Sequence, residues 1–145
     1  MKTVIIFAST HHGNTKKLLD AIAAKYDVKM IDATKEEKED LSCYDRIGFA
    51  SGVYFSSFHK SVLAYAKECL PKGKEVFLIE TYGSGSGTKA ISKVIEEKSC
   101  RLLGTYGCKG FDTFGPFKLV GGISKGHPTK EEVEGAVTFF ENLGK

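Results

Sequence analysis

Apolar residues along this chain follow two different periods. Short runs such as Val4-Ile5-Ile6-Phe7-Ala8 are apolar without interruption, the pattern of a strand covered on both faces. Between such runs, apolar positions recur at three- and four-residue spacing, as in a helix with one buried face. The runs predict strands over residues 3–8, 28–31, 46–51, 75–81 and 102–108. Leu18, Leu19, Ile22, Ala23 and Tyr26 share one helical face. Val62, Leu63, Ala66 and Leu70 share a second, and Ile91, Val94 and Ile95 a third. The last helix is the best marked. Thr129-x-x-Glu132 reads as a capping box behind Pro128, followed by a stripe of Val133, Ala136, Val137, Phe140 and Leu143.

Regular alternation of doubly apolar strands with helices implies an α/β parallel sheet covered on both sides. Right-handed crossovers then make the fold doubly wound. A chain of 145 residues fits one such domain, spanning 1–145. Ligands of these sheets sit beyond the carboxyl ends of the strands, at the switch point. The segments after the first, third and fourth strands therefore carry the functional expectation. Residues 110–126, rich in glycine and holding Phe111, Phe114, Pro116 and Phe117, are expected to wrap irregularly after the fifth strand.

Composition narrows the function classes. Hydrophobic residues make up 41% and charged residues 27%, a globular balance. No apolar run approaches the roughly 18 residues of a membrane span. The apolar stretch at the N-terminus is too brief for a secretory signal and reads as the first strand, which points to the cytoplasm. Cys43, Cys69, Cys100 and Cys108 lie far apart without a C-x-x-C, so they read as reduced structural residues and not as a zinc or dithiol site. A net charge of +3 without a dense Lys/Arg block gives no footprint for nucleic acid.

The first of the three segments is Ser9-Thr10-His11-His12-Gly13-Asn14-Thr15. A hydroxyl- and glycine-rich turn entering a helix gathers N–H groups and the positive end of the helix dipole, which suits a phosphate. The alternative is a plain helix cap at Asn14 or Thr15. The second segment, Ser51-Gly52-Val53-Tyr54-Phe55-Ser56-Ser57, places adjacent aromatics beyond a buried strand, where one could stack on a planar ring and the other pack. The third, Thr81-Tyr82-Gly83-Ser84-Gly85-Ser86-Gly87-Thr88, leaves backbone groups open to a ligand edge, or is a surface connection. Its G-x-G-x-G lacks the dinucleotide spacing, and Thr88-Lys89 reverses the Walker order.

Together these segments could hold one ligand, with a phosphate at the first and a flat heterocycle between the other two. That constellation resembles the flavodoxin family over nearly the whole chain. Its specific parts are Ser9 through Thr15 and Thr81-Tyr82-Gly83-Ser84-Gly85. Gly52 through Lys60 is similar to small flavodoxin-family proteins and to flavodoxin-like protoporphyrinogen dehydrogenases, and Gly110 through Phe117 to short clostridial-type chains. The resemblance implies a three-layer flavodoxin-like fold with a five-stranded parallel sheet of order 2-1-3-4-5, and FMN as cofactor. It implies that Ser9, Thr10, His12, Gly13, Asn14 and Thr15 hold the FMN phosphate. Ser51, Gly52, Val53, Tyr54 and Phe55 would line one side of the isoalloxazine, and Thr81, Tyr82, Gly83, Ser84 and Gly85 the other.

Three departures stand out. The phosphate turn is one residue longer than the usual short form, a subgroup's tryptophan is replaced by Ser84, and the chain is slightly basic where most of the family is acidic. The resemblance implies a monomeric electron carrier serving redox partner proteins, a reductase as donor and an oxidoreductase as acceptor, with no catalytic side chain. The alternative is a small FMN-dependent oxidoreductase of quinone or protoporphyrinogen type, in which His59 could act as a base, although a helix-start role is the favoured reading of His59. A phospho-receiver domain is disfavoured because Ala8-Ser9 and Ala50-Ser51 stand where that class needs acids.

Overall fold

The computed structural model describes residues 1–9, 13–83, 85–110 and 127–144. The strands are β1 (Thr3–Ala8), β2 (Lys29–Asp32), β3 (Arg46–Tyr54), β4 (Ser57–Phe58), β5 (Glu75–Tyr82) and β6 (Arg101–Lys109). The helices are α1 (Asn14–Lys25), α2 (Lys60–Cys69), α3 (Lys89–Glu97) and α4 (Lys130–Glu141). The parallel strands lie in the order β2-β1-β3-β5-β6, which is the expected 2-1-3-4-5 sheet when only those five are counted. One short strand was not expected: β4 pairs antiparallel with the end of β3. Among the described residues no helix is long and apolar enough to cross a membrane.

Each face of the sheet has its own core. Val4, Ile6, Phe49, Val76 and Leu78 point toward α2 and α3, where Val62, Tyr65, Ala66, Ile91, Val94 and Ile95 meet them. Ile5, Ala50, Phe77 and Ile79 point the other way, toward Leu18, Leu19 and Ile22 of α1 and Ala136 and Val137 of α4. This period-2 division explains the uninterrupted apolar runs: every side chain of a central strand is covered. Tyr65 was not part of the expected helical face. Its ring is buried while its hydroxyl accepts from the Glu39 N–H at 3.0 Å, so a polar tip did not keep it out of the core.

The chief difference from expectation lies at 51–57, read above as a loop. β3 continues through Tyr54, and a two-residue turn of Phe55 (φ 49°) and Ser56 (φ 63°) reverses the chain into β4. Both turn residues occupy left-handed backbone space, the geometry of a type I′ hairpin, without the Asn-Gly that normally signals one. Nothing in their residue types could have announced it. The expected wrap at 111–126 lies outside the described residues.

Two measurements check this architecture. Gly48 on β3 pairs with Phe77 on β5, and a Cβ at Gly48 would lie 2.3 Å from the Phe77 ring. Gly48→Ala should therefore cost roughly 1–3 kcal/mol in urea denaturation. At α4, Thr129 accepts from the Glu132 N–H at 3.1 Å, and the Glu132 carboxylate accepts from the Thr129 N–H at 2.8 Å and engages His127 Nδ1 at 2.5 Å. Burial pushes the Glu132 carboxyl up, but the Thr129 and His127 hydrogen bonds outweigh it and hold the group below its ordinary value. A depressed native value means this stabilisation is present above the unfolded-state value of about 4.3 and is lost as pH falls through the native one. Glu132→Gln should flatten that acid limb of the stability–pH curve, and Thr129→Ala should cost about 1 kcal/mol.

Candidate functional site

The carboxyl ends of β1, β3 and β5 deliver their following segments to one edge of the sheet, and an open cavity lies there. Its floor on one side is the start of α1. Gly13 takes the N-cap position with φ 65°, a conformation that costs glycine nothing, and contributes no side chain to the helix end. Asn14 and Thr15 are thus the first two helical residues, not caps, and both line the cavity. The Ser9 hydroxyl accepts the Lys16 N–H at 3.0 Å, which leaves its own proton to donate. The Thr15 and Thr81 hydroxyls meet at 2.9 Å across the sheet edge; either can be the donor, and the proton of the other remains for a ligand.

The opposite wall comes from the end of β3. Val53 and Tyr54 line the cavity, and the Tyr54 ring lies back over Gly52, where a Cβ would sit 3.1 Å from its hydroxyl. The His59 ring supports Tyr54 edge-on, with centroids 5.5 Å apart at 86°. His59 itself begins α2: its Nδ1 accepts from the Ser61 N–H at 3.1 Å. Burial, with the Lys60 ammonium beside it, pushes its pKa below the ordinary value, so it stands as a neutral imidazole. Tyr82 and Gly83 complete the wall from β5.

Of the residues expected to form the site, Ser9, Asn14, Thr15, Gly52, Val53, Tyr54, Thr81, Tyr82 and Gly83 line this cavity. Gly13 positions its floor. Ser51, Phe55 and Gly85 are not part of the lining. Ser51 is fully buried, donates to the Gly52 carbonyl at 2.6 Å and accepts from the His59 N–H at 2.9 Å. Phe55 sits at the hairpin tip with 84% of its surface exposed, and Gly85 is exposed. Thr10, His12 and Ser84 lie outside the described residues.

Sequence reasoning missed one member. Gly110 lines the cavity just past β6, donates its N–H to the Tyr82 carbonyl at 2.9 Å, and lies so near Asn14 that a Cβ would fall 2.7 Å from the Asn14 amide nitrogen. A glycine directly beyond the carboxyl end of the fifth strand was the available signal.

The chemistry of this lining is neutral. None of its described residues carries a carboxylate, imidazole, thiol or amine. Cys108 stands in register with Thr81, but burial pushes its thiol up to about 12, which leaves it protonated and inert. Among the described residues no group of His, Cys, Asp and Glu could hold a metal ion. Neutral hydroxyl and amide donors at the positive end of α1, with no lining carboxylate to repel an anion, fit a phosphate monoester. The flat surface of Val53 and Tyr54 fits the ring of a mononucleotide.

Comparison with known proteins agrees with this geometry. A flavodoxin domain model matches residues 5–79, just over half of the chain. An uncharacterised protein of Methanocaldococcus jannaschii is 32% identical over 149 aligned residues, which cover 100% of this chain and 99% of that protein. Oxidised flavodoxin 1 from Bacillus cereus superposes with a TM-score of 0.70 at 19% identity, over 99% of both chains. Rubredoxin oxygen:oxidoreductase from Desulfovibrio gigas gives 0.74 at 18% identity, over 98% of this chain and 35% of that one. An NADPH-quinone reductase from P. pentosaceus gives 0.67 at 14% identity, over 99% of this chain and all of the other. The match to the domain model over just over half of its length establishes that this chain belongs to the flavodoxin family.

Proposed function

We propose that this protein binds FMN in the carboxyl-edge cavity and carries electrons between redox partner proteins. One observation carries the reading: the phosphate-type donors of Ser9, Asn14, Thr15 and Thr81 converge on the same cavity as the ring-type wall of Val53 and Tyr54. When bound, FMN supplies reversible electron transfer, and the protein's part is to bind, orient and tune it. The Ser9 and Thr15/Thr81 hydroxyls would hold the phosphate at the start of α1. Tyr54, held by His59, would set one face of the ring, and Tyr82 with Gly83 would lie along the other side. The lining supports a carrier: its described acid–base side chains are the phenols of Tyr54 and Tyr82, with no carboxylate, imidazole, thiol or amine beside them to form a catalytic pair. Exposed Phe55, beside the Tyr54 wall, offers apolar contact to a docking partner. A net charge of +3 opposes the negative charge of a reduced flavin less than acidic surroundings would, which favours a comparatively high reduction potential.

The second reading is an FMN-dependent oxidoreductase acting on a quinone or porphyrinogen. It draws on the Phe58-His59-Lys60 pattern, yet Phe58 is a core residue here and His59 is occupied in starting α2.

Titration of the purified chain with FMN, followed by flavin fluorescence and absorption, should give one tightly held flavin per chain; a chain that takes up none ends the reading. Thr15→Val should weaken FMN on the order of tenfold while changing riboflavin, which lacks the phosphate, far less. Gly110→Ala should also weaken FMN, because its methyl forces the Asn14 amide to move. Sustained turnover of a quinone with NADPH would favour the oxidoreductase over the carrier.

A further inference from the structure

We propose that Glu80 is a positioning residue that sets the two ring-side walls of the cavity in register, acting through the glycine-rich segment and the β3–β4 hairpin without touching the ligand; this deepens the FMN reading above and rests on it. Glu80 lies near the carboxyl end of β5 and is only 3% exposed. A carboxylate in a sheet interior is unfavourable unless both oxygens are bonded. Here both are. Oε1 accepts the Gly87 N–H at 2.8 Å, and Oε2 accepts the Ser86 hydroxyl at 2.6 Å. Ionised acceptors make each bond stronger than a neutral pair would be.

The sheet is built to admit this side chain. Gly107 faces Glu80 across β5 and β6, and a Cβ there would come within 3.2 Å of the Glu80 Cγ and Oε2. The two hydrogen bonds tie Ser86 and Gly87 to the end of β5, in a segment whose sequence also contains Gly83 and Gly85. Glycines lose the most backbone freedom on ordering, so this segment needs such a tether to hold one shape.

The tether reaches the opposite wall through Gly87. A Cβ at Gly87 would lie 2.7 Å from Val53 Cγ1, 2.9 Å from the Ser57 nitrogen and 3.0 Å from the Ser56 carbonyl carbon. The Gly87 backbone is therefore seated directly on the hairpin that turns through Phe55 and Ser56. Ser51, the register partner of Glu80 on β3, holds the returning limb of that hairpin by accepting the His59 N–H. One buried carboxylate thus fixes Tyr82 and Gly83 relative to Val53 and Tyr54. Neither of these two hydrogen bonds of Glu80 goes to a residue lining the cavity.

Hydrogen exchange on the ligand-free chain tests the coupling directly, comparing the unsubstituted protein with Glu80→Ala, Glu80→Gln and Gly87→Ala. Loss of charge-assisted bonds should speed exchange roughly tenfold or more in Glu80→Ala, over both 81–88 and 53–58, with α4 unchanged. Gly87→Ala should reproduce this from the other side of the contact. Glu80→Gln should fall between the unsubstituted protein and Glu80→Ala, because its amide oxygen still accepts from Gly87 and its amide nitrogen donates to Ser86 while the charge assistance is gone; it also keeps the experiment readable if Glu80→Ala does not fold. Riboflavin and FMN should weaken by the same factor in Glu80→Ala and Gly87→Ala, since only the ring side moves. Unchanged exchange over 53–58, or unchanged riboflavin binding in folded Glu80→Ala, overturns the proposal. Failure of the unsubstituted chain to bind any flavin defeats the FMN reading instead, and is seen separately from the exchange result.

Discussion

Burial of β1, β3 and the greater part of β5 on both faces is the constraint from which the rest follows. Strands covered on both sides leave no room for a solvated face, so the connections cross over as helices and the strands run parallel. Parallel strands all end at one edge. Each following helix must begin there, so N–H-rich helix starts and the tightest turns meet at the same place. The site is a consequence of this geometry before any side chain is chosen.

Side-chain choice then changes abruptly at the strand ends. Thr3, Asn14, Thr15, Ser51, Glu80 and Thr81 are the described buried polar residues, and all but Thr3 lie at the carboxyl edge. They divide by face. Thr15 and Thr81 join on the side of α1, where the phosphate-type donors are. Ser51 and Glu80 lie in register on the α2/α3 side and restrain the hairpin and the glycine-rich segment. One pair faces the cavity; the other is bonded to the hairpin and the glycine-rich segment. Burying these groups far from the edge would be costly, but here Thr15, Thr81, Ser51 and Glu80 each find a partner among the elements that meet at the edge.

Much of this was legible in the sequence, for a physical reason. Doubly buried strands write themselves as unbroken apolar runs, and β1 was read to the residue. Thr129 and Glu132 announced α4 because a capping box needs those residue types at that spacing. Cavity-lining residues were legible where hydroxyls and glycines cluster after a strand, as at Ser9, Asn14 and Thr15 and at Thr81, Tyr82 and Gly83. What escaped depends on contacts distant in sequence. The hairpin at Phe55-Ser56 adopts left-handed backbone without glycine or asparagine, and its seat is Gly87, some thirty positions onward. Gly110 matters only because Asn14 lies against it. Ser51 reads like a ligand donor, yet its hydroxyl is taken by Gly52 and His59. A residue type states which bonds a side chain can make; only packing decides which partner receives them.

The four described helix starts bear on where the chain would take up an anion. α4 is capped by Thr129 and carries Glu131 and Glu132 in its first turn. α2 is capped by the His59 imidazole. α3 has no side-chain cap from Thr88 and no acid in its first turn, but the Glu80 carboxylate accepts the N–H of Gly87 immediately before it. An anion therefore already sits at the positive end of α3. α1 is different. Its N-cap is a glycine, its first turn holds no acid, and the neutral Ser9 hydroxyl takes the N–H of Lys16. Of the four, only the helix that opens onto the cavity lacks both a side-chain cap from its own N-cap residue and an acid near its start. A phosphate there would complete the same electrostatic pattern that the chain's own residues supply elsewhere.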